Sequence, residues 1–78
     1  MKKTSSQKCV YLKKIGLNIR QARKKKGMSQ ESLALAADLD RSYVGSVERG
    51  ERNISLKNIV LLARALKIKT SLLLEDVE

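Results

Sequence analysis

Residues 29–50 read SQESLALAADLDRSYVGSVERG. Ser29 is an N-cap residue, and Glu31 follows in the first turn, where a helix favours an anion. Leu33, Ala34 and Ala37 then form a short apolar face. That helix has to end near Asp38, and Asp38-Leu39-Asp40 reads as a turn. Asp40 is placed to cap a second helix from Arg41, with Val44 and Val47 directed inward and Gly50 closing it. The result is two helices, at about 29–37 and 41–49, joined by a three-residue turn. So short a turn forces a steep crossing, as in a helix-turn-helix, and the crossing needs a small residue, here Ala34. Leu33, Ala37, Leu39, Val44 and Val47 make the small core beneath, which leaves Arg41, Ser42, Gly45, Ser46 and Arg49 on the outer face of the second helix. That face is polar and carries no acid, and a DNA major groove admits one α-helix.

The flanks are helical as well. Upstream, Leu12, Ile15, Ile19 and Ala22 recur at spacings of 3, 4 and 3, one face of a helix starting at Val10. Gly27 is its C-cap after Lys24, Lys25 and Lys26. Downstream, Ser55 caps a fourth helix carrying Leu56, Ile59, Val60, Ala63 and Leu66, and Thr70 is expected to cap a last turn or two bearing Leu72, Leu73 and Leu74. Residues 1–9 are polar and without periodicity, so a flexible N-terminal segment is expected there, followed by a single domain over 10–78. The expected fold class is all-α, five short helices, without strands or repeats.

Composition narrows the function. The 78 residues carry 17 Lys+Arg against 8 Asp+Glu, a formal net charge of +9, with no His, one Cys and no Pro. One small domain is all that fits. Absence of His removes the usual catalytic triad and imidazole ligands, and one Cys forms neither an internal disulfide nor a thiolate cluster, so no enzyme, metal or cofactor is expected. Cys9 reads as incidental. No apolar run approaches the roughly 18 residues of a membrane span, and no secretory signal is evident, which points to a cytoplasmic protein with no membrane partner. Residues 1–26 hold ten Lys/Arg and no acid, whereas residues 27–78 hold seven bases and eight acids. The charge excess therefore precedes the helix pair and suits an anionic partner.

Ser29-Gln30-Glu31-Ser32-Leu33-Ala34, Leu39-Asp40-Arg41-Ser42-Tyr43-Val44 and Val47-Glu48-Arg49-Gly50 together resemble the Cro/C1-type (XRE) helix-turn-helix family, over about Ile15 to Leu74. The run LDRSYVGSVERGERNIS further resembles the controller proteins of bacterial restriction–modification systems. The resemblance implies a lambda-repressor-like DNA-binding domain. The family usually has Gly where this chain has Asp38, at a left-handed turn position that Asp tolerates better than most residues.

Site expectations follow. Arg41 is the candidate for bidentate readout of guanine, with a phosphate contact as the alternative. Ser42 and Ser46 share its face and are candidates for direct or water-mediated base contacts. Tyr43 is a further base-contact candidate, its alternative being to pack on the surface of the preceding helix. By resemblance Gln30 contacts the DNA backbone, its other role being local capping. Arg49, Arg52 and Asn53 follow the recognition helix as phosphate contacts, and Lys57 and Asn58 lie at a helix N-terminus suited to phosphate. The family pairs an Arg late in helix one with the Glu of the E-R-G segment, which makes Arg23 and Glu48 a structural ion pair.

Leu61 falls opposite the core stripe of the fourth helix, and Leu72, Leu73 and Leu74 cannot all point inward. These leucines are the expected dimer interface, the alternative being that a small domain exposes a few of them. The leading expectation is a sequence-specific transcription regulator, a homodimer on palindromic double-stranded DNA, controlling its own gene and an endonuclease gene. Glu31 or the acids near Glu51 are candidates for facing RNA polymerase. The competing readings are a phage- or plasmid-type repressor, a toxin-binding antitoxin whose C-terminal leucines take a protein, and a basic helix that binds polyanions or membrane surfaces without sequence preference.

Overall fold

The computed structural model describes the backbone of residues 2–77 and the side chains of residues 10–77. Five helices follow one another: α1 (Lys2–Lys25), α2 (Gln30–Ala37), α3 (Arg41–Glu48), α4 (Leu56–Leu66) and α5 (Thr70–Leu73). The described residues contain no strand. Three starts use side-chain caps. The Ser29 hydroxyl accepts from the Ser32 N–H while the Ser32 hydroxyl accepts from the Ser29 N–H, both at 3.0 Å. Asp40 accepts from the Ser42 N–H and Ser55 from the Asn58 N–H, each at 3.2 Å. At the end of α2 Asp38 adopts φ 59° and ψ 43°, the left-handed conformation the turn requires.

Helix α1 starts at Lys2, eight residues before the expected Val10. Apolar periodicity marks only the part of a helix that packs, and no Gly or Pro stops the polar turns before it. The side chains of Lys2, Lys3 and Cys9 lie outside the described residues. Thr70 is the first residue of α5 rather than its cap; Lys69 holds that position without a side-chain bond. The other end of α5 is tied instead. Asn18, buried on α1, donates to the carbonyls of Leu73 (3.0 Å) and Glu75 (2.9 Å).

The core sits where α1, α2, α3 and α4 meet, around Ile19, Leu33, Val44, Val47, Leu62 and Leu66, all buried. The buried stripe of α4 is Ile59, Leu62, Ala63 and Leu66. This corrects the expected stripe: Leu56 is 66% exposed and Val60 only half-buried. The helical spacing is unchanged, but α4 packs between α2 and α5 and turns Leu62 into the core. Leu73, expected at a dimer interface, is completely buried as the apolar anchor of α5. Leu61 is half-buried against the core, and Leu72 and Leu74 stay exposed.

Gly16 sets the approach of α1 to α3. A Cβ there would lie 2.3 Å from the Val47 carbonyl oxygen and 2.6 Å from that of Glu48, so only Gly admits this crossing. Gly50 needs Gly twice over: its φ is +76°, and a Cβ would meet the Lys13 Cα at 2.8 Å.

Candidate nucleic-acid interface

Helix α3 has the length and apolar pattern to lie across α2 on Val44 and Val47. Arg41 and Ser42 stand exposed on its first turn, with Tyr43 and Ser46 half-buried beside them. Gly45 departs from the expected outer face. It is buried, and a Cβ there would touch the side chains of Arg49 (3.3 Å) and Gln30 (3.4 Å) that cover it.

The acid within α3 is turned away from this surface. Glu48 accepts from Arg23 Nε at 2.7 Å and Arg23 Nη2 at 3.1 Å, with their side chains only 2% and 10% exposed. A carboxylate and guanidinium buried this far need each other, because either alone would forfeit its hydration without return. Arg23 also donates to the Met28 carbonyl (2.8 Å), so one guanidinium joins α1, the link to α2 and the end of α3. Gln30 donates to Glu48 Oε1 (2.9 Å), which holds its amide at the start of α2. A depression of about 280 Å³ lies here, lined by Arg20, Arg23, Gln30, Glu48 and Arg49. In the sequence, Arg20 is one of the ten Lys/Arg of residues 1–26 and is not marked out among them. Its position three residues before Arg23 was the available signal.

Asp40 places a carboxylate at the edge of the face. It accepts from both the backbone N–H and the hydroxyl of Ser42. The hydroxyl bond, the strongest influence, holds the Asp40 carboxyl below the ordinary aspartate range. With its O–H donated to Asp40, the Ser42 hydroxyl offers a ligand its lone pairs. Ser46 is similar, since its hydroxyl donates to the Tyr43 carbonyl (2.9 Å).

Beyond α3 the cationic groups spread along one edge. Arg49 forms a 3.1 Å ion pair with Glu51, both more than half exposed. That bond raises the Arg49 pKa further above its usual value. Arg52, Asn53 and Lys57 are exposed. The Arg52 guanidinium lies over the Tyr43 ring, 5.1 Å from its centroid. Asn58, expected at phosphate, is half-buried and donates to the Tyr43 hydroxyl at 2.9 Å. Tyr43, Ser42, Ser46, Arg52 and Asn58 thereby line a groove of about 440 Å³ between α3 and the start of α4. The described residues hold no group of three or more metal-ligating side chains, and no helix among them is long and apolar enough to cross a membrane.

The helix-turn-helix family model matches residues 19–73. The chain belongs to that family. Among its relatives is the control protein C.BamHI of Bacillus amyloliquefaciens, 46% identical over 61 residues that cover 77% of this chain and 75% of that protein. The restriction–modification controller protein C.AhdI of Aeromonas hydrophila has a crystal structure 56% identical to this chain. Its TM-score is 0.78, over 80% of this chain and 94% of that one. C.Esp1396I, solved as a tetramer in complex with its natural 35 base-pair operator, is 34% identical, with a TM-score of 0.78 over 86% of this chain and 88% of that one. These likenesses place the chain among the controller-type members of the family.

Proposed function

We propose that this protein is a DNA-binding transcription regulator, the controller protein of a restriction–modification system. It acts as a homodimer on a palindromic operator in the bacterial cytoplasm and controls its own gene and the endonuclease gene. The observation that carries this reading is the outer face of α3. Arg41, Ser42, Tyr43 and Ser46 stand together there while Glu48 is buried on Arg23. A recognition helix needs such a face, since an unneutralised carboxylate would be repelled by the phosphates on either side of the groove. The controller proteins among the relatives support the same reading.

Within this reading Arg41 makes the main base contact, and Ser42, Ser46 and Tyr43 complete the base-facing set. Gln30, Arg49, Arg52, Asn53 and Lys57 hold phosphates, with Arg20 added beside Gln30 and Arg49. Leu61, Leu72 and Leu74 form the two-fold interface, which would set two recognition helices about 34 Å apart. Exposed Glu31 is the candidate contact for RNA polymerase. The protein works by binding, not by catalysis. Repeated selection from a random pool of duplexes tests the proposal. A recurring palindrome is the expected result, and a bound pool with no shared sequence overturns it.

A further inference from the structure

Two members of the expected phosphate-contacting set have side chains bonded into the recognition helix: Gln30 to the buried Glu48, and Asn58 to Tyr43 at the groove. The Asn58 backbone N–H is held by Ser55 (3.2 Å) and its side-chain amide donates to the Tyr43 hydroxyl (2.9 Å), fifteen residues away in the chain. A phenol hydroxyl has one proton and accepts through its lone pairs. By donating to it, Asn58 occupies an acceptor site and leaves the phenolic proton undirected by the protein, at the lining of the groove of about 440 Å³. The ring itself is fixed from two sides. Its inner part packs against the core, and Arg52 covers its face at 5.1 Å. A guanidinium stacked on a ring still has its in-plane N–H groups free for phosphate.

We infer that Asn58 is a positioning residue for sequence recognition, acting on DNA through Tyr43 rather than by a phosphate contact of its own. It sets the phenol as a hydrogen-bond donor toward the groove and locks the start of α4 to α3. The backbone-contacting loop and the base-reading helix therefore keep one register. This inference rests on the DNA-binding reading above.

A double-mutant cycle on the full chain tests it, with the duplex obtained by selection and an unrelated duplex as the two probes. The readout is the ratio of the two affinities, which loss of fold alone does not shift selectively. Tyr43→Phe and Asn58→Ala are each expected to lower the ratio about three- to tenfold, the range of one hydrogen bond. Adding Asn58→Ala to Tyr43→Phe is expected to change it by less than about twofold, because the shared group is already gone. Asn58→Asp gives a second route. Its carboxylate accepts a hydrogen bond from the phenolic O–H and turns it away from the groove, so its effect on the ratio is expected to shrink in the Tyr43→Phe background, where any pure charge repulsion persists. Equal losses from Asn58→Ala with and without the phenol overturn the inference in favour of a direct contact, and an unchanged ratio in the single variant overturns it outright. A wild-type ratio near one removes the DNA-binding reading and this inference with it, whereas additivity beside a high wild-type ratio removes the inference alone.

Discussion

Arg41 occupies the first turn of α3, fully outside the core, where a long planar donor group reaches a groove floor. Two parallel N–H bonds to guanine would be worth about 1–3 kcal/mol of discrimination. Arg41→Ala is therefore expected to change the preferred base at one position in each half-site, read by competing the selected duplex against its single-base variants. A uniform loss over all sequences would reassign Arg41 to phosphate. Asp40 beside it makes a second prediction. Ser42 lowers its folded-state pKa below the unfolded value, so the contact stabilises the fold above the unfolded value and is lost as pH falls through the folded one. Asn caps a helix about as well as Asp. Asp40→Asn is thus expected to keep stability at neutral pH and to flatten its decline below about pH 4, in thermal melts at stepped pH. Both residues were legible in the sequence because capping and helix-start positions are local features. The partners of Tyr43 were not. Asn58 and Arg52 reach it from beyond a loop, and no spacing rule links them to it.

Between elements, the buried Arg23–Glu48 pair joins α1 to α3. Glu48→Ala leaves a guanidinium desolvated without its counter-charge, at a cost of about 3–5 kcal/mol. In a domain this small the melting temperature is expected to fall by more than about 10 °C. Glu48→Gln, which keeps the shape and an acceptor for Arg23, is expected to fall less. If Glu48→Gln melts with the wild type, the charge is not what matters. The resemblance pointed to this pair, but its burial and its further bonds to Gln30 and Met28 are properties of the assembled helices. Gly16 and Asn18 escaped the sequence reading for a related reason. Gly16 looks like a mild helix weakness until α3 is seen crossing its backbone. Asn18 looks like a solvated polar residue until the carbonyls of Leu73 and Glu75, more than fifty residues away, are placed against it.

For the molecule as a whole, the charge and the leucines do separate work. The ten cations of residues 1–26 precede the reading surface, and each cation that neutralises a phosphate on duplex DNA contributes about −0.9 to the log–log salt slope of binding. Arg23 is paired with Glu48, and the other cations are expected to attract DNA of any sequence. Leu72 and Leu74 remain 46% and 38% exposed and Leu61 is half-buried, which leaves apolar surface that a partner subunit would cover. Leu72 lies outside the buried core, so Leu72→Glu is expected to leave the fold intact, shift the sedimenting species to monomer and weaken operator binding. A variant that sediments as wild type moves the interface elsewhere on the surface.

The sequence by itself determined that five helices form and where three of them begin. It also showed a turn at Asp38-Leu39-Asp40, left-handed at Asp38 as the family resemblance implies, and a polar face starting at Arg41 that suits an anionic partner. Those properties are local: caps, turn conformations and 3.6-residue periodicity involve residues within a few positions of one another. Tertiary structure decided the rest. It turned Leu62 inward in place of Leu56, took Leu73 from the surface into the core, sealed Gly45 beneath Arg49 and Gln30, and bonded Asn58 to Tyr43. Which side of an apolar helix is buried, and which polar group finds which partner, depends on neighbours that are distant along the chain. The closest approaches between those neighbours exist only once α1, α3 and α4 have docked.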